Sequence, residues 1–467
     1  MGSGPGPGVT MLGVTESLIP TGGNRPLPTV RGHDRPPAPL LGSLQVWGFR
    51  PLYAAGFLSV TARWGMGFLA AYVANELTSS PRAVQLTGAA MWAPLLLAGV
   101  AAGGLADRWD RHRILLVALA AVAPAVAVVG LLELSGRLQV WVLYPLMVMV
   151  GLSWVADMTS RRTLVIDIVG VELIDNAMAL ESFASAMGLA SGVLAGGAVV
   201  EVLGVGTAFL AVSALLAASA GLVAWSSHSH YRSISENRSM SPATSRQGLA
   251  STLPPLGGRP ERSEQTSRTG GRQGLLVTLT EGRALVAGNR SLRAGLGVTV
   301  IANVFYFSHT PLVPVFAARL GAGAFRAGLM ASAGGVGMMV AAVVIIRFQP
   351  PRRPTYVAGA GFALLAVIGI GVFDSFITVY ASLLLAAVGF GLFAATQSVV
   401  VMTSVDGRHK GQAMGLLSMA IGVLPIGMYS LGELAELAGP PRAVISYASV
   451  GLVVLAGWVA LTLRPQS

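Results

Sequence analysis

The chain contains no cysteine, and only 11% of its 467 residues are Asp, Glu, Lys or Arg. The absence of cysteine excludes disulfides, thiol catalysis and cysteine-ligated metal sites. The low charged fraction cannot cover the surface of a soluble protein of this length, whereas 53% of the residues are hydrophobic. The composition therefore predicts a polytopic membrane protein whose apolar surface faces lipid.

Motifs for several kinds of chemistry are absent as well. The sequence has no G-x-x-x-x-G-K-[ST] run to hold phosphates, no nucleophile-elbow serine, and six scattered histidines without a metal-ligand cluster. We expect no catalytic residue, no metal and no cofactor, and we do not expect an enzyme. The net charge of +11 raises the possibility of nucleic acid binding. Membrane topology explains the charge better, because the basic residues cluster between apolar segments.

The first 46 residues are rich in Gly and Pro, and we predict no signal peptide in them. Twelve apolar segments of about 20 residues follow, the length that crosses about 30 Å of hydrocarbon. They lie near 51–76, 86–106, 114–133, 139–159, 176–200, 205–226, 292–316, 323–346, 355–374, 377–402, 411–437 and 441–463. The predicted organisation is a disordered cytoplasmic tail (1–46), a six-helix bundle (47–226), a largely disordered cytoplasmic linker (227–290) and a second six-helix bundle (291–467). The predicted fold class is an all-α membrane protein.

The distribution of Arg and Lys sets the predicted orientation. Most basic residues fall in cytoplasmic loops if the N-terminus is cytoplasmic, so both termini are predicted to lie in the cytoplasm. The two halves also share sequence: residues 177–184 read AMALESFA and residues 413–420 read AMGLLSMA, identical at five of eight positions. Two halves in the same orientation predict a parallel repeat about an axis along the membrane normal.

A short charged loop separates the second and third apolar segments. It contains Gly103, Leu105, Asp107, Arg108, Arg111 and Arg113. This spacing resembles the signature loop of the major facilitator superfamily, although Asp110 stands where that family usually has glycine. The resemblance implies that Gly103 permits close helix packing and that Asp107 docks at the start of the eleventh helix, near Gly411. A carboxylate at a helix N-terminus is stabilised by up to about 1 kcal/mol or more, so the contact would latch the halves at the cytoplasmic side.

The fifth segment carries Gly188, Gly192, Gly196 and Gly197. Glycines three and four apart share one helix face and let another backbone approach closely. The pattern resembles the antiporter motif of the same superfamily, with Val193 in place of its proline. The resemblance implies export, and the alternative is ordinary packing of small residues.

The chain resembles one branch of the superfamily beyond these two motifs. This branch is the enterobactin-exporter-like group among the drug-efflux relatives. The similarity rests on Phe49-Arg50-Pro51-Leu52 with Ser59 and Trp64, on Pro94, and on the segment from Glu281-Gly282-Arg283 to Asn289. It implies proton-coupled efflux of a small amphipathic organic compound, siderophore-like or drug-like, by a monomer in the bacterial cytoplasmic (inner) membrane. Two alternatives remain: an uptake carrier of the same fold, and a non-transporting membrane scaffold that acts through its linker.

Polar residues inside the spans are the candidates for substrate binding or coupling: Arg63, Trp64, Asp157, Glu181 and His309. Arg63 lies about 18 Å into the first helix, where an arginine costs about 2.5–3.5 kcal/mol on insertion scales. It is predicted to attract an anionic substrate or to pair with Asp157 or Glu181, which helix rise places about 10 Å nearer the cytoplasm. His309 is predicted either to be packed and hydrogen-bonded or to relay protons.

Overall fold

The computed structural model of the chain describes residue 2 and residues 42–105, 111–170, 172–239 and 282–462. Within these ranges it describes the side chains of all but 97–105, 111, 159 and 227–239. In this described part the secondary structure is helical throughout, joined by turns. The predicted all-α class is confirmed.

Each of the twelve predicted segments corresponds to one helix. The helices are α1 (Phe49–Thr78), α2 (Pro81–Leu105), α3 (Arg111–Leu134), α4 (Val140–Val169), α5 (Ile174–Leu203), α6 (Val205–Ser239), α7 (Arg290–Arg319), α8 (Ala324–Phe348), α9 (Arg352–Val372), α10 (Phe376–Met402), α11 (Gly407–Ala438) and α12 (Pro440–Thr462). Among the described residues, all of these except α2 are long and apolar enough to cross a membrane. At 25 residues α2 spans about 37 Å, which is also sufficient in length.

Two helices, α4 and α6, continue ten or more residues beyond their predicted ends. The fourth segment was expected to end near residue 159, but α4 continues to Val169 because Arg161 is buried by an ion pair instead of marking the membrane boundary. The sixth was expected to end near residue 226, but α6 continues to Ser239. Hydropathy detects only the apolar part of a helix, so the sixth predicted segment ended at Ser226 although α6 continues through polar residues.

Odd-numbered helices run from one face of the molecule, here called the start face, to the opposite face, here called the far face. Even-numbered helices run back. Gly204 alone joins α5 to α6 and Gly439 alone joins α11 to α12, with φ of 84° and 83°. Positive φ favours glycine, which has no Cβ. The same one-residue turn therefore occurs at the same place in each half, in agreement with the expected repeat. The two similar stretches, residues 177–184 and 413–420, lie near the start-face ends of α5 and α11.

The first six helices pack mainly on one another, as do the last six. α1 is central in the first group, in contact with α2, α4, α5 and α6, while α9 packs on α10 and α12 in the second. The groups meet chiefly where α5 contacts α8 and where α2 contacts α11. This arrangement leaves a central space between the groups.

The glycines of α5 bring its backbone against α1. A Cβ on Gly192 would lie 2.2 Å from the carbonyl oxygen of Thr61, and a Cβ on Gly188 would lie 2.8 Å from Val60 Cγ1. Gly196 faces Phe68 of α1 at 3.5 Å, whereas Gly197 faces α8, 2.5 Å from the oxygen of Ala324. The expected close backbone approach is present, with two different partner helices.

A Gly192→Ala variant is expected to be less stable than the wild type by about 1–3 kcal/mol, because its methyl group meets a backbone atom that cannot rotate away. Thermal unfolding of the detergent-purified protein measures the loss. Gly221→Ala is the matched control, since a Cβ there has nothing within 4 Å. Equal unfolding temperatures for the two variants would contradict the close packing of α1 and α5.

Helix α7 is irregular where it reaches the central space. It begins as an α-helix (Arg290–Ile301), passes through a π-helical turn (Ala302–Tyr306) and a 3-10 turn (Phe307–Leu312), and ends as an α-helix (Val313–Arg319). Pro311 and Pro314 lack the N–H that a regular helix needs, which explains the second half of this break. π-helical turns are frequent at functional sites.

Candidate functional site

A cavity of about 230 Å³ lies between the two groups of helices. Its wall draws on both groups, including Trp64 of α1, Trp92 of α2, Leu189 of α5, Phe307 of α7 and Phe390 of α10. A smaller cavity of about 60 Å³ shares part of this wall and adds Pro311 and Met428. The central cavity is thus built by residues far apart in sequence.

Aromatic rings form most of one side. Trp92 contacts Trp154 and Phe307 with ring centroids 4.9 and 5.5 Å apart, and Phe307 contacts Phe390 at 5.5 Å. Trp64 packs edge-on against Trp154 at 5.3 Å. Trp64 was a sequence candidate, whereas Trp92, Phe307 and Phe390 were missed.

Helices α7 and α10 also bring polar side chains to the wall, among them Asn303, His309 and Gln397. Asn303 Nδ2 donates to the oxygen of Thr299 at 2.9 Å, and Gln397 Nε2 donates to Thr299 Oγ1 at 3.3 Å. His309 Nδ1 lies 2.5 Å from the oxygen of Tyr306, and the side chain is buried. The hydrogen-bonded form of His309 expected from the sequence is therefore present, and it also lines the cavity.

Behind the aromatic wall lies a buried ionic cluster. Asp157 of α4 accepts hydrogen bonds from Arg63 of α1 and, at 2.8 Å, from Nε of Arg161. Arg161 also donates to the oxygen of Leu52 at 2.9 Å, and Ser59 Oγ lies 3.0 Å from Arg63 Nη2. All three charged residues are buried. Since a buried charge is costly unless it is paired, this cluster explains how α1 and α4 tolerate two arginines.

Arg63 was expected to meet either an anionic substrate or a carboxylate, and the structure contains the pair with Asp157. The guanidinium also lies 5.5 Å from the ring centroid of Trp154, so this ring stands beside it. The helix-rise estimate that placed Asp157 about 10 Å nearer the cytoplasm does not prevent this contact. Helix rise measures Cα positions along straight axes and neglects the length of an arginine side chain.

Glu181 of α5 lies near this cluster without joining it. Its Oε1 is buried and has no hydrogen-bond partner among the described residues. Gly56 of α1 lies next to both: a Cβ there would lie 2.8 Å from Arg161 Nη1 and 3.4 Å from Glu181 Oε1. The missing side chain of Gly56 leaves the carboxyl and the guanidinium close to each other.

The charged loop between α2 and α3 is only partly described. Gly103 lies in the last turn of α2, and Arg111 and Arg113 lie in the first turn of α3. Asp107 and Arg108 lie outside the described residues, so the latch to the start of α11 stays a prediction.

At the far face, α2 is joined to α7 and α11 by polar contacts that sequence reasoning missed. Ser80 Oγ donates to Glu436 Oε2 at 2.7 Å, and Arg82 Nη2 lies 2.9 Å from Glu433 Oε2. Deeper inside, Gln85 Nε2 donates to the oxygen of Ser308 at 2.8 Å. Acidic residues near the end of one apolar segment and a serine before another were the available signal, but it did not specify the pairs.

Small residues close the far face between α5 and α8. A Cβ on Gly328 would lie 2.6 Å from the oxygen of Val193, and a Cβ on Gly335 would lie 2.5 Å from the nitrogen of Ala190. We call Gly197, Gly328 and Gly335 the α5–α8 seam. In the described part of the chain, α4 and α10 form no corresponding packed interface. The central cavity is therefore closed off chiefly at the far face.

These features define a class: a multi-pass helical membrane protein with a cavity between two groups of six helices, which is the architecture of a secondary transporter. The sequence model of the Major Facilitator Superfamily matches residues 52–428 and, in a second match, residues 295–467. Because the match spans most of the chain, the chain belongs to this superfamily. No curated protein sequence matches it.

Solved structures agree with the fold. A POT family transporter in complex with 5-aminolevulinic acid is 13% identical, with a TM-score of 0.64 over 89% of this chain and 96% of that chain. The nucleoside transporter NupG is 14% identical, with a TM-score of 0.62 over 88% and 98%. A bacterial homolog of the human lysosomal transporter Spinster, inward-facing and occupied, is 15% identical, with a TM-score of 0.60 over 89% and 96%. At these identities the similarity shows the fold alone.

Proposed function

We propose that the chain exports a small amphipathic organic compound by alternating access, as a monomer in the bacterial cytoplasmic membrane. The start face and both termini lie in the cytoplasm, which the positive-inside distribution of arginine favours. The observation that carries the proposal is the cavity of about 230 Å³ between the two helix groups, closed at the far face by the α5–α8 seam. A cavity in this state admits its substrate from the cytoplasm.

Accumulation of N-phenyl-1-naphthylamine, a fluorescent aromatic amine, tests the direction of transport in energised cells. Cells that produce the chain are expected to accumulate less probe than cells with an empty vector. Addition of a protonophore should remove the difference. Higher accumulation would indicate an uptake carrier, and an effect that depended only on residues 227–272 would indicate a scaffold.

Export is driven by protons that move inward, and Glu181 takes up the proton. The support is geometric: Glu181 Oε1 is buried without a described partner, and Arg161 is close by across Gly56. The other charged side chains in this region are Asp157, which pairs with Arg161, and Arg63, which also pairs with Asp157. When Glu181 is ionised it attracts Arg161 away from Asp157, and when it is protonated it releases Arg161. Such an exchange would couple protonation to the packing of α1, α4 and α5.

A Glu181→Gln variant is expected to lose efflux driven by a pH gradient while it keeps downhill exchange of the same probe, because glutamine mimics the protonated acid permanently. Proteoliposomes with and without an imposed pH gradient separate the two activities. Glu133→Gln, near the far-face end of α3, is the matched control and should behave as wild type. Gradient-driven efflux that survives in Glu181→Gln would refute the coupling role of this residue.

A further inference from the structure

We propose that the central cavity selects a planar aromatic molecule that carries an O–H or N–H donor and no negative charge. This inference deepens the proposed transport function, since the bound molecule would be the transported compound. It rests on the hydrogen-bonding state of three side chains that line the cavity: Asn303, His309 and Gln397.

The orientation of the Asn303 amide follows from its partner. Its Nδ2 lies 2.9 Å from the backbone oxygen of Thr299, which can only accept a hydrogen bond. The nitrogen must therefore point to Thr299. The Oδ1 atom is left with no partner among the described residues, on a side chain of the cavity wall. Asn303 thus offers an acceptor to a ligand.

The Gln397 amide is oriented by a short hydrogen-bonded chain. Thr299 Oγ1 lies 2.7 Å from Tyr356 Oη and 3.2 Å from the oxygen of Gly295, while Tyr356 Oη itself donates to Gly295. The single hydroxyl proton of Thr299 is used in this chain, so Gln397 must donate to Thr299 Oγ1 through Nε2. Gln397 Oε1 consequently remains as a second acceptor.

The tautomer of His309 is set in the same way. Its Nδ1 lies 2.5 Å from the backbone oxygen of Tyr306, so Nδ1 carries the proton. In the neutral ring Nε2 then has a free lone pair. The cavity wall thus presents three acceptors that cannot also donate, beside the hydroxyls of Tyr306 and Thr310, which can do either. Acceptors therefore outnumber donors in the wall, and a ligand with an O–H or N–H group satisfies the excess.

Charge and shape narrow the ligand further. In the described part of the wall, His309 is the only ionisable side chain apart from Tyr306, and no Arg, Lys, Asp or Glu lines the cavity. Arg63, next in sequence to the lining residue Trp64, is neutralised by Asp157 and lies beside Trp154. An anion would therefore be desolvated without a counter-charge. The rings of Trp92, Phe307 and Phe390 favour a flat aromatic partner, which prefers offset or edge-on packing.

The volume limits the size. Pockets for drug-sized ligands measure roughly 300–1,000 Å³, so a cavity of about 230 Å³ suits a molecule of about two or three aromatic rings. The probes are therefore three naphthalenes of similar shape: 2-naphthol, 2-methoxynaphthalene and 2-naphthoate. At pH 7 the first is a neutral donor, the second has no donor, and the third is an anion.

Isothermal titration calorimetry of the full-length protein in detergent gives the three affinities. We expect 2-naphthol to bind about tenfold more tightly than 2-methoxynaphthalene, the value of one hydrogen bond to a buried acceptor, and 2-naphthoate to bind most weakly. Asn303→Leu, His309→Phe and Gln397→Leu each remove one acceptor. At least one of them should abolish the preference for naphthol while keeping the affinity for 2-methoxynaphthalene, which also reports that the variant is folded.

Gln139→Leu, in the far-face turn before α4, is the matched control and should keep the preference. The proposal is overturned if 2-naphthoate binds as tightly as 2-naphthol, if the donor gives no advantage, if all three acceptor variants keep the preference, or if no probe binds at about 1 mM. Binding needs no gradient. If the chain exports N-phenyl-1-naphthylamine but shows no preference for 2-naphthol in binding, only the proposed ligand class is refuted. If it shows the binding preference but exports nothing, the proposed transport function is refuted.

Discussion

An Asp157→Asn variant is expected to be less stable than the wild type by about 3–5 kcal/mol, which leaves little folded protein in the membrane. Asp157 is the shared acceptor of Arg63 and Arg161, and all three are buried. Its loss leaves two guanidinium groups without their carboxylate in a medium where unpaired charge is expensive. Fluorescence-detected size exclusion of the solubilised protein measures the folded fraction before and after heating.

Arg63→Met should be much milder, because Asp157 keeps its pair with Arg161 at 2.7 Å. Adding Arg63→Met to Asp157→Asn should recover part of the lost stability, since the double variant carries one uncompensated arginine fewer. Asp374→Asn is the matched control: its pair with Arg319 is exposed at the far face, where such pairs contribute little. If Asp157→Asn were as stable as Asp374→Asn, the cluster would not hold α1 against α4.

The spans could be predicted from the sequence because the length of an apolar run is set by the thickness of the bilayer. Predicted and observed ends of α8 and α10 differ by at most two residues. The prediction failed where a charged residue lies within a helix and does not mark the membrane boundary. Arg161 looked like a boundary, yet it lies inside α4, paired with Asp157.

The cavity was far harder to predict. A transmembrane helix is apolar on all sides, so its sequence has no strong periodicity to tell the face toward lipid from the face toward the cavity. Trp92 lines the cavity, while Trp141 and Trp225 are exposed on the outside of the molecule. Nothing in the local sequence distinguishes them. Charged residues are different: Arg63 had to be buried against a partner, and only the identity of the partner was open.

A Gly328→Leu variant is expected to abolish transport by preventing closure of the far face. A Cβ on Gly328 would lie 2.6 Å from the oxygen of Val193 and 3.0 Å from Gly197 Cα. Both are backbone atoms, so the larger side chain must push α5 and α8 apart. The state closed at the far face is then lost, and the cavity opens to that face instead. Efflux of N-phenyl-1-naphthylamine should fall to the level of the empty vector.

The chain has no native cysteine, so one introduced thiol reports which face the cavity opens to. Ala331→Cys places it in the cavity wall. A membrane-impermeant maleimide applied at the far face should label Ala331→Cys about 5- to 150-fold more in the Gly328→Leu background, because a clash of about 1–3 kcal/mol shifts the two states by that factor. Gly457→Leu in α12 is the control, since a Cβ there meets nothing within 4 Å. Wild-type efflux and unchanged labelling in Gly328→Leu would mean that the α5–α8 seam is not the far-face closure, because a seam that tolerates leucine cannot depend on backbone contact.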